Sequence, residues 1–246
     1  MATKSAIKNS VNAALRPWGV QVIRGRSSDP AVQSFLSARR TIAAAHRAGL
    51  SVADYIDQRN ATPGTTASTV ERMLSIAGLS GHVDRVCEIG PGTGRYAERV
   101  IAALHPDVYE MYETANDWLP YLRRLPNAKT LPADGRTLGH TASESVDLVH
   151  ANKVFVYIPL IVTVGYLREM ARVTRPGGAV AFDIVTEDCM DTATTNSWVD
   201  TGSTLYSMIP RQWTIDLLSH ERLTLLGSTF AALNDGKTEI LVFRKL

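Results

Sequence analysis

Residues Glu88-Ile89-Gly90-Pro91-Gly92-Thr93-Gly94-Arg95 constrain this chain more than any other stretch, because three alternate glycines separate an apolar run from a helical pattern. The run Val83 to Ile89 reads as a strand buried on both faces, and Tyr96, Val100, Ala103 and Leu104 fall on one face of a helix over 95–104. Glycine at a strand-to-helix turn reaches positive φ without strain and lets a ligand approach the backbone amides at the helix N-terminus. A chain organised around this turn is an open α/β sheet holding a nucleotide-like ligand beyond the carboxyl ends of its strands.

Spacing separates two readings of the loop. A dinucleotide fingerprint counted from Gly90 and Gly92 requires glycine at 95, where this chain has Arg95. The third glycine instead comes at 94, and the acid Glu88 stands two positions before the first. This pattern resembles the first motif of the class I S-adenosylmethionine (SAM) dependent methyltransferases, of the type 11 and type 25 kind. The resemblance implies that Glu88, Gly90, Pro91, Gly92, Thr93 and Gly94 contact SAM. A structural glycine turn in another α/β protein is the plainer alternative.

The remaining pattern alternates. It predicts strands at 83–89, 108–113, 127–131, 146–151, 178–186, 222–231 and 238–244, and helices at 65–77, 95–104, 114–124, 159–173 and 210–219. Such alternation implies βαβ units, while Asn234-Asp235-Gly236 joins the last two strands as a hairpin. The resemblance implies a Rossmann-like, seven-stranded, mostly parallel sheet with helices on both faces and an antiparallel C-terminal hairpin. The segment Leu167 to Gly178 is similar to the family's helix and the Pro-Gly-Gly turn before its fifth strand.

Further site residues come from strand ends. In the family an acid at the tip of the second strand takes both ribose hydroxyls; Glu113, 19 residues beyond Gly94, fits that role, and Glu110 is expected to face solvent or a helix. Asp134-Gly135 after the third strand stands where the family places an acid near adenine, with ordinary Asp-Gly turn chemistry as the alternative. His150 ends the fourth strand as a cofactor contact and a candidate general base, with a buried, backbone-bonded histidine as the alternative; Tyr157 would orient the acceptor. Glu187 and Asp188 follow the fifth strand, but no His/Cys grouping has metal-ligand spacing, so no metal is expected.

Charge divides the chain unevenly. Residues 1–50 hold eight Lys and Arg against the single acid Asp29, and the remainder holds eighteen against twenty-three acids. Ile7, Val11 and Leu15 recur at helical spacing, the short apolar piece Trp18 to Ile23 follows, and a second helix is expected over 31–48. Residues 1–64 therefore read as a basic helical extension, a lid or a dimer arm, before a methyltransferase domain at 65–246. The extension is open to peripheral membrane contact; its arginines lack aromatic interleaving, which argues against nucleic acid.

No apolar run is long enough to span a bilayer and no secretion signal is present, so the cytoplasm is the expected compartment. No nucleophile elbow or phosphate loop supports hydrolysis or phosphoryl transfer. The expected activity is methyl transfer from SAM to a small-molecule acceptor, on oxygen. The segment Leu15 to Arg24 is similar to the leader of some bacterial glycan-modifying methyltransferases, which implies a sugar or glycolipid hydroxyl; aromatic, polyketide and lipid acceptors stay open. A non-catalytic SAM-binding module and a nicotinamide-dependent oxidoreductase are the alternatives.

Overall fold

The computed structural model describes residues 36–60, 62–200, 206–234 and 236–246. The expected helix around Ile7 to Leu15, the piece Trp18 to Ile23 and the hairpin residue Asp235 lie outside the described residues.

Among the described residues three helices precede the sheet: α1 (Ala38–Arg47), α2 (Val52–Arg59) and α3 (Thr65–Ala77). Ser51 begins α2 by accepting the amide of Asp54 at 3.0 Å, so a Ser-x-x-Asp signal marks a helix that apolar spacing alone leaves unread. The order continues β1 (Arg85–Ile89), α4 (Arg95–Leu104), β2 (Val108–Tyr112), α5 (Leu119–Leu122), β3 (Ala128–Leu131), β4 (Val146–Ala151), α6 (Leu160–Val173) and β5 (Thr174–Ile184). A short 3-10 turn at Glu187–Cys189, α7 (Thr192–Asp200), α8 (Arg211–His220), β6 (Leu223–Leu233) and β7 (Gly236–Lys245) complete it.

The seven strands lie in the order β3-β2-β1-β4-β5-β7-β6. β1 to β5 run parallel; β7 is antiparallel to both β5 and β6, with Leu233 opposite Gly236 at the hairpin end. This is the Rossmann-like sheet expected from the alternation. The order reverses between β1 and β4, so the crevice for a ligand opens beyond the carboxyl ends of these two strands.

Apolar layers cover both faces. On one, Val86, Tyr109, Met111, Leu148, Ala179 and Ala181 pack with residues of α1 to α4, including Ala45, Ile56, Met73 and Val100. On the other, Cys87, Val149, Val180 and Phe182 meet Tyr166, Leu167 and Met170 of α6 and Leu218 of α8. Each fully buried Leu, Val, Phe or Met side chain contributes about 1.5–3 kcal/mol. α1 and α2 thus share a core with the elements that follow residue 64.

Three expectations change. The helix over 114–124 shrinks to Leu119–Leu122, because Pro120 cannot donate to an upstream carbonyl and Pro126 pushes Leu125 out of the helical region. Pro176-Gly177-Gly178 does not precede the fifth strand: α6 runs into β5 at Thr174, and the triplet arches out as a bulge between the pairs Val146/Thr174 and Leu148/Ala179, with Gly177 at φ +78°. α7, built of Thr, Ala, Asn and Ser with little apolar periodicity, was not anticipated; Asp191 starts it by accepting the amide of Thr194 at 2.8 Å.

Candidate active site

The glycine loop is held from two sides. Gly90 donates its amide to the carbonyl of Tyr112 on β2 at 2.8 Å, and Gly94 donates to Pro91 at 2.8 Å to close the turn into α4. Gly90, Gly92 and Gly94 have φ of +63°, +52° and +75°, conformations that L side chains rarely adopt. A Cβ on Gly90 would come within 2.7 Å of Val154 Cγ2, and one on Gly94 within 3.0 Å of Leu122 Cδ2. Close packing, as well as φ, therefore selects glycine here. Arg95 pairs with Asp57 at 3.1 Å and ties α4 to α2, a packing role that glycine could not fill.

Glu113 completes this half. At the tip of β2 it is buried, and its carboxylate accepts the amide of Gly92 at 2.6 Å and that of Ala115 at 2.6 Å. Burial raises its pKa above the usual carboxylate range, against the opposing pull of these amides. A carboxylate has roughly four lone-pair sites, so two stay available for a diol. Beside it opens a concavity of about 280 Å³ lined by Thr114, Asn116, Leu131 and Ala133, among others, from the ends of β2 and β3. Glycine amides, a carboxylate with spare acceptor sites and this hollow fit a ribose and a flat heterocycle.

Asp134 is exposed and its carboxylate turns back on its own loop, accepting the amides of Arg136 and Thr137 at 2.8 and 2.7 Å and the Thr137 hydroxyl at 2.7 Å. Hydroxyl and amides together hold it below the usual carboxylate range. Its carboxylate thus performs the turn chemistry named as the alternative, with Gly135 at φ +74° in the same turn. Glu110 does not face solvent: it is buried, receives Arg85 at 2.5 Å and the Thr141 hydroxyl at 2.6 Å, and so secures the amino-terminal side of β2.

His150 lies elsewhere than expected of a base. The parallel register sets it beside Glu88 on the sheet face that also carries Tyr109, beneath the glycine loop. Its side chain is fully buried, and both ring nitrogens are engaged. Asn152 Nδ2 donates to His150 Nδ1 at 2.9 Å, so Nε2 carries the hydrogen and donates to the Tyr109 hydroxyl at 2.7 Å; Tyr109 donates onward to Glu88 Oε2 at 2.8 Å. Burial pushes His150 down to about 3 and Glu88 up to about 8, so at neutral pH the imidazole is uncharged and the carboxyl mostly protonated. This geometry corrects the assignment of His150 as general base: no ring nitrogen is left to reach an acceptor. The chain of donors instead fixes the residues under the loop.

A second polar group, missed from the sequence, stands at the ends of β4 and β5. Lys153 pairs with Asp183 at 2.8 Å. Asp183 sits in the otherwise apolar Ala179-Val180-Ala181-Phe182-Asp183-Ile184, in phase with Ala179 and Ala181; an acid in such a strand was the available signal that a buried cation had to be near. Tyr157 is half-buried, with its ring 5.8 Å from that of Tyr206. Glu187 and Asp188 are exposed, Glu187 accepting the amide of Arg211 at 2.9 Å. Among the described residues no group of His, Cys, Asp and Glu could hold a metal ion, and no helix is long and apolar enough to cross a membrane.

Residues 87–182, from β1 to β5, match the family described as a methyltransferase domain. No curated protein matches the sequence. Among solved structures, the chain is similar to magnesium protoporphyrin IX methyltransferase from Synechocystis PCC 6803 with bound SAH (S-adenosylhomocysteine), with TM-score 0.58 and 12% identity over 99% of this chain and 100% of that one. An N-methyltransferase from Bradyrhizobium japonicum WM9 aligns with TM-score 0.54 and 17% identity over 74% and 96% of the two chains. A 4+2 cyclase, SpnF, aligns with TM-score 0.55 and 15% identity over 73% and 80%. Glycine loop, strand order and sequence match converge: residues 87–182 match a methyltransferase domain, and the seven-stranded sheet around them has the fold of solved methyltransferases.

Proposed function

We propose that this protein transfers the methyl group of SAM to an oxygen of a small-molecule acceptor. The observation that carries the reading is the pinning of the Gly92 amide by Glu113, which sets a carboxylate with spare acceptor sites between the glycine loop and the hollow at the ends of β2 and β3. SAM supplies an electrophilic methyl group on a positively charged sulfur. Glu88, through Tyr109, supports the loop from below; Gly90, Pro91, Gly92, Thr93 and Gly94 face the cofactor with their backbone; Glu113 accepts its ribose hydroxyls. The turn at Asp134 and Gly135 borders the adenine through its backbone, while Asp134's carboxylate stabilises the turn.

In-line displacement needs little covalent chemistry from the protein, and alignment supplies much of the rate, up to roughly 7–11 kcal/mol in favourable cases. Tyr157, half-buried on the segment after β4, orients the acceptor, and His150 is a positioning residue. Because α1 and α2 pack in the common core, the domain begins before residue 65, and the role of lid or dimer arm falls to the basic residues that precede α1; the proposed compartment is the cytoplasm. The likeness to a cyclase keeps a second reading in play, a SAM-binding protein whose chemistry is not methylation. The deciding experiment incubates the protein with labelled SAM and a panel of phenols, carboxylic acids, sugars and amines, and follows label and S-adenosylhomocysteine. Label in an oxygen acceptor supports the proposal; label in amines alone overturns oxygen as the acceptor atom, and cofactor binding without any transfer favours the second reading.

A further inference from the structure

Lys153 follows β4 in left-handed backbone, with φ +58°. Its amide donates to Asp183 Oδ1 at 2.6 Å, and its ammonium pairs with Asp183 Oδ2 at 2.8 Å and donates to the Thr238 hydroxyl. Thr238 passes its own hydrogen to Asp183 Oδ2 at 2.7 Å. Asp183 and Thr238 are fully enclosed, but the Lys153 side chain keeps 11% of its surface exposed. An ammonium has three donors, and these contacts occupy two. The third has no partner among the described residues.

A buried ion pair is weak support for stability, since apolar side chains of similar volume often do as well or better. Its location suggests another use. The pair joins the ends of β4, β5 and β7, on the other side of β1 from Glu113 and the hollow at β2 and β3. The amides of Ser207 and Ile209 donate to Val156 at 2.9 Å and Val185 at 2.8 Å, which laces residues 206–209 onto the segments following β4 and β5. Tyr157 and Tyr206, with rings 5.8 Å apart, and the exposed Met208 therefore share this rim.

We infer that Lys153 is the anion contact of the acceptor side, taking an ionised oxygen (phenolate, enolate or carboxylate) carried on an aromatic or apolar body. This rests on the methyl-transfer reading and narrows it. With His150 sealed beneath the loop, a hydroxyl of alcohol acidity has no imidazole to receive its proton, whereas an oxygen that arrives ionised needs none. In the transfer the O–C bond forms and the C–S bond breaks. The oxyanion's negative charge and the sulfonium's positive charge cancel, and Lys153 keeps its proton. Asp183 and Thr238 hold the ammonium in place, and the aromatic rim binds the body.

The test uses the full chain saturated with S-adenosylhomocysteine and titrated with 4-nitrophenol, at a pH where it is ionised, with benzoate, and with neutral 4-nitroanisole. The wild type is expected to bind the two anions about ten-fold or more tighter than the anisole, as a charge-assisted hydrogen bond warrants. Lys153→Met should abolish the preference and leave affinity for S-adenosylhomocysteine within about three-fold. The double variant Lys153→Met/Asp183→Asn leaves no unpaired buried charge, so it separates loss of the contact from loss of the fold; it should behave the same way. No preference in the wild type, or a preference that survives in the double variant, overturns the inference. So does a folded double variant that has lost the cofactor product, which would put Lys153 on the cofactor's own carboxylate. A wild type that does not bind S-adenosylhomocysteine breaks the methyl-transfer reading itself.

Discussion

The two ends of the crevice are built on different principles. The cofactor end, around β1 and β2, is made of backbone: glycine amides, a strand tip, and Glu113 accepting two main-chain amides. The end proposed for the acceptor, around β4 and β5, is made of side chains from distant parts of the chain, with Lys153, Asp183 and Thr238 meeting across three segments. Backbone sites depend on local order and spacing, so they tolerate variation elsewhere. Side-chain sites depend on the tertiary fold.

The largest expected effect tests the acceptor end. Lys153→Met strands the Asp183 charge inside the protein and should destabilise it by about 3–5 kcal/mol, with Asp183→Asn in the same chain restoring most of the loss. Chemical denaturation of the three proteins reads this directly. Equal stability of the single and double variants would show that the pair is not enclosed as described.

At the cofactor end, Gly90→Val meets both a left-handed φ of +63° and Val154 at 2.7 Å. Affinity for S-adenosylhomocysteine should fall by about 100-fold or more, or some 3 kcal/mol, measured by calorimetry. Near wild-type affinity would mean that the loop is not set by close packing.

The layer beneath the loop predicts a stability profile with a plateau. His150 has its folded value depressed from 6.5 to about 3, so its contribution is complete above 6.5 and is lost as pH falls. Glu88 has its folded value raised from 4.5 to about 8, so its contribution is complete below 4.5 and is lost as pH rises to that value. The two slopes, each about 1.4 kcal/mol per pH unit, oppose each other between 4.5 and 6.5. Stability should fall on the acid side of this window through His150 and on the alkaline side, up to about 8, through Glu88. Unfolding curves for wild type and Glu88→Gln check the sign: the variant should lose the alkaline decline, and an unchanged decline would detach Glu88 from it. The smallest effect belongs to Asp134→Ala, which removes a turn contact on an exposed loop; affinity for S-adenosylhomocysteine should change by less than about three-fold. A larger loss would return the Asp134 carboxylate to direct cofactor contact.

The same contrast explains what the amino-acid sequence discloses. The seven strands, their alternation with helices and the C-terminal hairpin follow from apolar runs and turn residues, because those signals act over a few residues. The place of Glu113 against the glycine loop was legible by its distance from Gly94, and the departure at Arg95 by what it replaced. The failures have tertiary causes. His150 looks like a base at a strand end, and only the register beside Glu88 and Tyr109 shows it enclosed. Lys153 and Asp183 stand thirty residues apart in sequence, and their pairing follows from β4 lying beside β5. Pro120 and Pro126 gave local notice of a broken helix that the apolar spacing over 114–124 concealed.

Calorimetric titration of wild type and Glu113→Ala with S-adenosylhomocysteine and, separately, with NAD tests the central claim that the β1–β2 end is a SAM site most directly. The account predicts one S-adenosylhomocysteine per chain, no NAD binding, and a loss of about ten-fold or more in affinity for Glu113→Ala. NAD binding without S-adenosylhomocysteine binding, or a Glu113→Ala variant that binds S-adenosylhomocysteine as the wild type does, would contradict it.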